Sequence, residues 1–177
     1  MRKFHKRYFF LLHELKRIQP IDGLVIVDCA CGQGDGLRMF TDHKCKLFGV
    51  DIDSKKISYA KSQIKDAVFC KSSIEKLPFE NNFADIFICS ETMEHLPKTQ
   101  NNEIANEIKR VTKQDGIICV TVPANRKTCL KKKGHKQYLS IKDVKDSFLC
   151  DTLFEGIFIK NPKNKTTGNF VIIMRKK

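Results

Sequence analysis

Short apolar runs alternate with amphipathic stretches along most of the chain. Five runs have the length of buried strands: 24–29, 46–51, 67–71, 83–90 and 117–122. Four stretches carry apolar residues at helical spacing: 34–40, 55–65, 101–112 and 141–148. Two last strands are predicted at 152–160 and 169–175, with the loop 161–168 between them. The alternation predicts an α/β fold, a doubly wound, mostly parallel sheet of about seven strands in a single domain.

A glycine-rich turn joins the first predicted strand to the stretch that follows it. Its spacing is Asp28-x-Ala30-x-Gly32-x-Gly34, and the second predicted strand ends in Asp51. Glycines let the backbone approach a ligand closely, and a helix N-terminus offers free N–H groups. A carboxylate at the second strand end can accept two hydrogen bonds from a ribose diol. The pattern predicts a nucleoside pocket, and its spacing differs from the G-x-G-x-x-G of a dinucleotide site.

This turn resembles motif I of the class I S-adenosylmethionine (SAM) methyltransferases, usually D-x-G-x-G-x-G. Ala30 stands at the first glycine, which is expected to be tolerated if its φ stays negative. The resemblance implies a fold with a Rossmann-like sheet, a turn that holds the methionine part of SAM, and Asp51 on the ribose. A tight turn without a ligand and an NAD-binding turn are the alternatives.

Later segments are similar to the type-11-like members of that class, which include ubiquinone-biosynthesis O-methyltransferases. Leu77-Pro78-Phe79 and Phe83-Ala84-Asp85 match their L-P-F…F-D, and Glu94-His95-Leu96 matches their E-H-L. The similarity covers about residues 24–123. It implies an S-adenosylmethionine-dependent methyltransferase.

The same resemblance implies three contacts to adenine. The residue four before the leucine of L-P-F is commonly an aspartate that binds the adenine amine, and here it is Ser73, a weaker acceptor. Ile74 would offer its backbone N–H, and Ile52 would pack on the ring. For Ile52 and Ile74, plain core positions are an equal alternative.

Polar residues follow the fourth predicted strand. Ser90, Glu91, Glu94 and His95 are expected at the carboxyl edge of the sheet, where open α/β sheets bind ligands. We assign Ser90 to the cofactor pocket and the other three to catalysis. Methyl transfer to a hydroxyl needs an aligned acceptor and a base, and an imidazole beside a carboxylate can serve.

The spacing Glu91-x-x-Glu94-His95 also permits a divalent metal site, if a helical turn puts these residues on one face. It resembles the E-x-x-E-H of the ubiquinone O-methyltransferases and of the small-RNA 2′-O-methyltransferases. The RNA group holds a metal with this trio and a later histidine, which would be His135. A metal is the less favoured alternative, because the histidine-rich segment of the RNA group is absent and E-H-L occurs in relatives without a metal. His135 also matches a histidine of small-molecule methyltransferases, and we count it among the catalytic candidates.

The net charge is +13, and one dense basic cluster occurs in a predicted loop at 126–133. Most of the basic residues are lysines, a bias that genome composition alone can produce. The cluster is either a solvated loop or a site for an anionic substrate such as RNA or an acidic head group.

Regional composition suggests how the chain is divided. Residues 1–20 are predicted to form a basic, aromatic helix that covers the pocket, 24–123 the SAM-binding core, and 124–177 the substrate-side loop, helix and closing strands. No apolar run is long enough to span a bilayer. The eight cysteines show no zinc spacing, so a reduced, cytoplasmic protein is expected.

Three functions are compatible with these patterns. The favoured one is methyl transfer from SAM to a hydroxyl of a small molecule. The alternatives are an RNA methyltransferase, in one version with metal-assisted 2′-O transfer, and a non-catalytic SAM-fold subunit of a partner enzyme. The oligomeric state is open.

Overall fold

The computed structural model describes residues 6–159 and 168–177. Its strands are β1 (Val25–Cys29), β2 (Lys46–Asp51), β3 (Ala67–Lys71), β4 (Ala84–Ser90), β5 (Thr112–Pro123), β6 (Asp151–Ile159) and β7 (Gly168–Arg175). They form one sheet in the order β3-β2-β1-β4-β5-β7-β6. Strands β1 to β5 pair in parallel, whereas β7 is antiparallel to β5 and β6. The predicted doubly wound, mostly parallel sheet is confirmed.

Within the described residues, five α-helices accompany the sheet: α1 (Lys6–Ile18), α2 (Ser54–Gln63), α3 (Asn101–Val111), α4 (Arg126–Lys131) and α5 (Ile141–Phe148). The stretch predicted as a helix after the glycine turn is only a short 3-10 helix, Leu37–Phe40. Helix α2 is capped by Asp53. The Asp53 carboxylate accepts hydrogen bonds from the backbone N–H groups of Lys55 (2.9 Å) and Lys56 (3.3 Å).

Two apolar layers cover the sheet, one on each face. Because strand side chains alternate, Ile86 and Ile88 of β4 join the cluster with α1 and α2, and Phe87 joins the one with α3 and α5. All three are fully buried. Strand β4 is therefore central, and its carboxyl end lies at the point where the strand order reverses between β1 and β4.

Strand β5 begins five residues before the predicted start at 117. Asp115 adopts a left-handed φ of 60°, and the pairing with β4 shifts between Ala84 and Ile86. Asp115 and Gly116 therefore form an irregularity within the strand rather than a separate turn before it.

The basic segment is also more ordered than predicted, since Arg126–Lys131 is helical. The Asn125 side chain caps it by accepting a hydrogen bond from the Thr128 N–H (3.0 Å). The predicted loop 161–167 lies outside the described residues. Within 6–159 and 168–177, no helix has both the length and the apolar composition needed to cross a bilayer.

Candidate active site

A cleft of about 390 Å³ opens at the carboxyl ends of β1, β2 and β4. This volume is within the usual range for small-molecule sites, about 300–1,000 Å³. Its walls include six of the residues predicted to bind cofactor: Ala30, Gly32, Asp51, Ile52, Ser73 and Ile74. Lys56 also lines it, a residue that no motif singled out. The remaining predicted residues, Asp28, Gly34 and Ser90, lie outside the lining.

The glycine turn follows a left-handed path. Ala30, Gly32 and Gly34 have φ values of 56°, 58° and 82°. A Cβ on Gly32 would meet nothing within 4 Å, so this backbone is open toward the cleft. A Cβ on Gly34 would come within 2.8 Å of Ile64 Cδ1 and 3.1 Å of Phe69 Cζ, and a side chain would also be strained at this left-handed φ, so glycine is favoured there. The expectation of a negative φ at Ala30 was wrong, because the left-handed conformation already begins at Ala30.

We predict that Ala30→Gly stabilises the protein. The left-handed conformation destabilises an alanine in the folded state by about 1–2 kcal/mol. Glycine removes this strain, but its greater entropy in the unfolded chain offsets part of the gain in stability. The free energy of unfolding in urea should therefore rise by about 0.5–1 kcal/mol. The matched control is Ala60→Gly within α2, which should lower it by about 1 kcal/mol or more. Equal destabilisation by both substitutions would contradict the strain assigned to Ala30.

Asp51 joins the end of β2 to the glycine turn. Its side chain is 5% exposed. Asp51 Oδ2 accepts a hydrogen bond from the Gly32 N–H (2.8 Å), and Oδ1 accepts one from the Asp53 N–H (2.9 Å). Each oxygen retains a lone pair for a further donor. The carboxylate is thus held in a fixed orientation at the cleft wall, as a ligand with two adjacent hydroxyls requires.

Asp28 is a fully buried carboxyl below the turn. Neither of its oxygens has a hydrogen-bond partner among the described residues. Burial raises its pKa to about 8, while the Arg7 guanidinium lowers the pKa and the Asp51 carboxylate raises it further. Buried polar atoms are normally paired, and with this pKa the ligand-free acid is protonated near pH 7, so a cationic group that a ligand brought close would favour its ionised form.

The apolar wall of the cleft is formed by two isoleucines. Ile52 is 69% exposed, an unusual state for a large apolar side chain, whereas Ile74 is 8% exposed and belongs to a core cluster. Ser73 lies beside them, and its Oγ accepts the Glu75 N–H (3.3 Å). An exposed isoleucine at a cleft wall offers a surface that a planar base can cover.

Ser90 has a connecting position rather than one in the cleft wall. Its Oγ accepts a hydrogen bond from Arg7 Nε (2.9 Å) and shares one with Thr121 Oγ1 (2.9 Å). These contacts tie α1 to β4 and β5. Sequence reasoning missed Arg7, and the only available signal was the basic character of the N-terminal helix.

A second cavity of about 550 Å³ adjoins the cleft. It is lined by Arg7, Glu91, Glu94, His95, Lys132, Lys133 and His135. All the predicted catalytic residues are therefore brought together here. Because Glu91 and His95 also line the cleft, they stand at the boundary between the two spaces.

Two histidines meet in the second cavity. The rings of His95 and His135 are edge to face, with centroids 4.6 Å apart. His95 Nδ1 lies 3.0 Å from the Gly134 carbonyl, and His135 Nδ1 lies 3.1 Å from Cys129 Sγ. Burial, helped by the charges of His95 and Lys132, lowers the pKa of His135.

The predicted metal set is assembled only in part. Ligand atoms of Glu94, His95 and His135 all lie within 4.8 Å of one another, but Glu91 is not in this group. Glu91 has a left-handed φ of 55°, and its carboxylate accepts a hydrogen bond from Asn169 Nδ2. A 3-10 turn, Met93–His95, follows it, so the expected helical face of 91, 94 and 95 does not form.

The sheet, the glycine turn after β1 and the acid at the end of β2 define a class I methyltransferase fold. The chain belongs to the family described as Methyltransferase domain (Methyltransf_11), which matches residues 27–120, more than half of its length. The predicted class, an S-adenosylmethionine-dependent methyltransferase domain of the type-11-like group, is confirmed.

Curated relatives match the same region. An uncharacterized methyltransferase of Mycobacterium leprae is 30% identical over 104 residues, which are 58% of this chain and 38% of that protein. The ubiquinone/menaquinone biosynthesis C-methyltransferase UbiE of Campylobacter jejuni is 29% identical over 104 residues, 55% of this chain and 43% of that protein. The matched region therefore spans less than half the length of these relatives.

Solved structures share the whole fold. The PH0226 protein of Pyrococcus horikoshii has a TM-score of 0.80 at 18% identity, over 100% of this chain and 92% of that one. The magnesium protoporphyrin IX methyltransferase ChlM of Synechocystis, solved with bound S-adenosylhomocysteine, has a TM-score of 0.80 at 14% identity, over 97% and 83%. At these identities the likeness concerns the fold alone.

Proposed function

We propose that the cleft binds SAM and that the chain transfers the methyl group to a hydroxyl of a small molecule. One observation carries the proposal: the oriented Asp51 carboxylate and the open Gly32 backbone line a cleft that continues, past His95, into a second cavity. A cofactor and an acceptor each have a space, and a base candidate stands between them.

The cofactor residues have distinct roles in this proposal. Asp51 accepts the ribose hydroxyls, and Ile52 and Ile74 pack against the adenine, which Ser73 contacts at its polar edge. The turn from Ala30 to Gly34 borders the methionine part. The unpartnered carboxyl of Asp28 supports a cationic ligand group above it, and the α-ammonium of SAM has that charge.

His95 is proposed to be the general base. Its Nδ1 lies against a carbonyl, which can only accept, so Nδ1 carries the proton in the neutral ring and Nε2 is free of one. Bound SAM supplies an electrophilic methyl on a good leaving group. The acceptor oxygen forms the new bond to the methyl carbon as the carbon–sulfur bond breaks, and its proton passes to His95 Nε2.

A metal-assisted transfer to RNA is the second candidate. The close approach of Glu94, His95 and His135 favours it, since two imidazoles and a carboxylate suit a divalent cation. The Nδ1 contacts of both rings would leave Nε2 of each for the ion. Such an ion lowers the pKa of a bound hydroxyl.

The test is transfer from methyl-tritiated SAM to fractions of a native cell extract, with and without RNase and a chelator. We expect label in small molecules, unaffected by either treatment. His95→Asn should lower the rate about 100-fold or more while calorimetry shows unchanged SAM binding. RNase-sensitive, chelator-sensitive label would replace the first candidate by the second. SAM binding without any transfer would favour the non-catalytic subunit.

A further inference from the structure

The segment 129–137, which begins within α4 and contains the end of the basic cluster, is fixed to the residues that follow β4. The backbone N–H of Lys136 donates to the Glu94 carbonyl (2.8 Å). The Gln137 side-chain amide donates to the carbonyls of Met93 and Leu96, each at 2.9 Å. Gln137 is buried, and so is Cys129 at the other end of the segment. The segment is therefore anchored to the site at Cys129 and Gln137, while residues 130–134 between these anchors are exposed.

Because of this anchoring, only part of the basic cluster lines the second cavity. The basic cluster of the sequence contains Arg126, Lys127, Lys131, Lys132 and Lys133. Only Lys132 and Lys133 line the cavity, together with Arg7 from α1. Lys132 and Lys133 are exposed, and the charge of Lys132 contributes to lowering the pKa of His135. Two lysines are thus held beside the histidine pair.

The charges of the cavity favour an anion. The cavity lining contains three cationic side chains, Arg7, Lys132 and Lys133, and two carboxylates. The carboxylate of Glu94 is fully buried, and that of Glu91 accepts a hydrogen bond from Asn169. The solvent-facing charge is therefore carried mainly by the lysines, and ammonium groups bind carboxylates and phosphates through charge-assisted hydrogen bonds.

We propose that Lys132 and Lys133 bind a carboxylate or phosphate group of the methyl acceptor, and that the acceptor is consequently a small anionic molecule. This rests on the proposed function, because the second cavity matters to transfer only if SAM occupies the cleft. His95 separates the two spaces, so an anion held by the lysines would direct a hydroxyl on the same molecule toward the base.

The test uses inorganic phosphate and acetate as separate probes of the protein saturated with S-adenosylhomocysteine. Both are titrated at constant ionic strength while the backbone amide resonances of Lys132, Lys133 and Gly134 are followed by NMR. We expect saturable shifts with at least one probe, and the stronger probe identifies the anion. The double variant Lys132→Gln/Lys133→Gln should weaken this binding about tenfold or more.

The control variant is Lys127→Gln/Lys131→Gln. It removes the same charge from the same basic cluster, but neither residue lines the cavity. We expect less than about a twofold change, since exposed charges outside the site are screened. Arg7 is left intact because it holds Ser90.

Two outcomes of the anion titrations would overturn the anion site. One is the absence of saturation with both probes, and the other is equal weakening in both double variants, as a general surface-charge effect would give. An RNA oligomer that binds and loses affinity equally in both variants would also overturn it, in favour of a nucleic-acid surface. Binding of S-adenosylhomocysteine is measured on the same samples. If the protein did not bind it, that result would contradict the proposed function rather than the anion site.

Discussion

Asp51→Asn is expected to weaken SAM binding about 100-fold or more. The substitution removes the charge from an acceptor whose orientation is set by the N–H groups of Gly32 and Asp53. Two ribose hydroxyls would lose charge-assisted hydrogen bonds, each worth about 1.5–3 kcal/mol. Even the lower value for each gives about 3 kcal/mol, which is more than a hundredfold in the dissociation constant. Calorimetric titration with SAM measures the change.

The control for this prediction is Asp66→Asn. It makes the same chemical change at an exposed position away from the cleft, and SAM affinity should stay within about twofold. Circular dichroism of both variants establishes that the fold persists. Unchanged affinity in a folded Asp51→Asn protein would mean that this acid does not contact the cofactor.

Asp28→Asn is expected to make the ligand-free protein more stable at alkaline pH. The ordinary pKa of 3.8 rises to about 8 in the folded state, chiefly through burial. Between these values the folded chain binds more protons than the unfolded one, so the free energy of unfolding falls as the pH rises from about 4 to about 8. The full loss is at most about 6 kcal/mol. The amide does not ionise, so the variant lacks this loss.

Urea unfolding at pH 5, 6.5 and 8 tests this expectation, since the difference between the wild-type and variant profiles isolates the Asp28 contribution. The difference should grow with pH and favour the variant at pH 8. SAM affinity should fall in the same variant, because an amide attracts an ammonium group less strongly than a carboxylate does. Parallel stability profiles would show that Asp28 is already ionised or solvated in the folded protein.

The sheet was largely predictable from the sequence because parallel strands buried on both faces are apolar throughout. The bounds of β2 and β3 agree with the predicted ones, 46–51 and 67–71. The start of β5 and the conformation after β4 were not predicted, because each depends on a non-glycine residue with a left-handed φ, which residue type does not reveal. The left-handed Asp115 lets β5 start at Thr112, and the left-handed Glu91 turns the chain away from a helix after β4.

The candidate site was predicted less completely, for a related reason. Motif spacing identified the residues near one another in sequence, such as Gly32 on the turn. Arg7 reaches Ser90 across 83 positions, and no local pattern encodes a contact of that range. Likewise, α4 is a short, highly charged helix, and its place depends on the Asn125 cap and the burial of Cys129.

The Gln137 side chain holds the backbone beside His95, so the lysines at 132 and 133 are not needed for that task. Its amide nitrogen fixes the carbonyls of Met93 and Leu96, on either side of the turn that carries His95. The lysines at 132 and 133 extend from the same anchored segment, yet their side chains are exposed and contribute nothing to that anchor. If Lys132 and Lys133 bind the acceptor as proposed, substitutions at these two positions would change acceptor preference while the Gln137 side chain still holds the backbone beside His95.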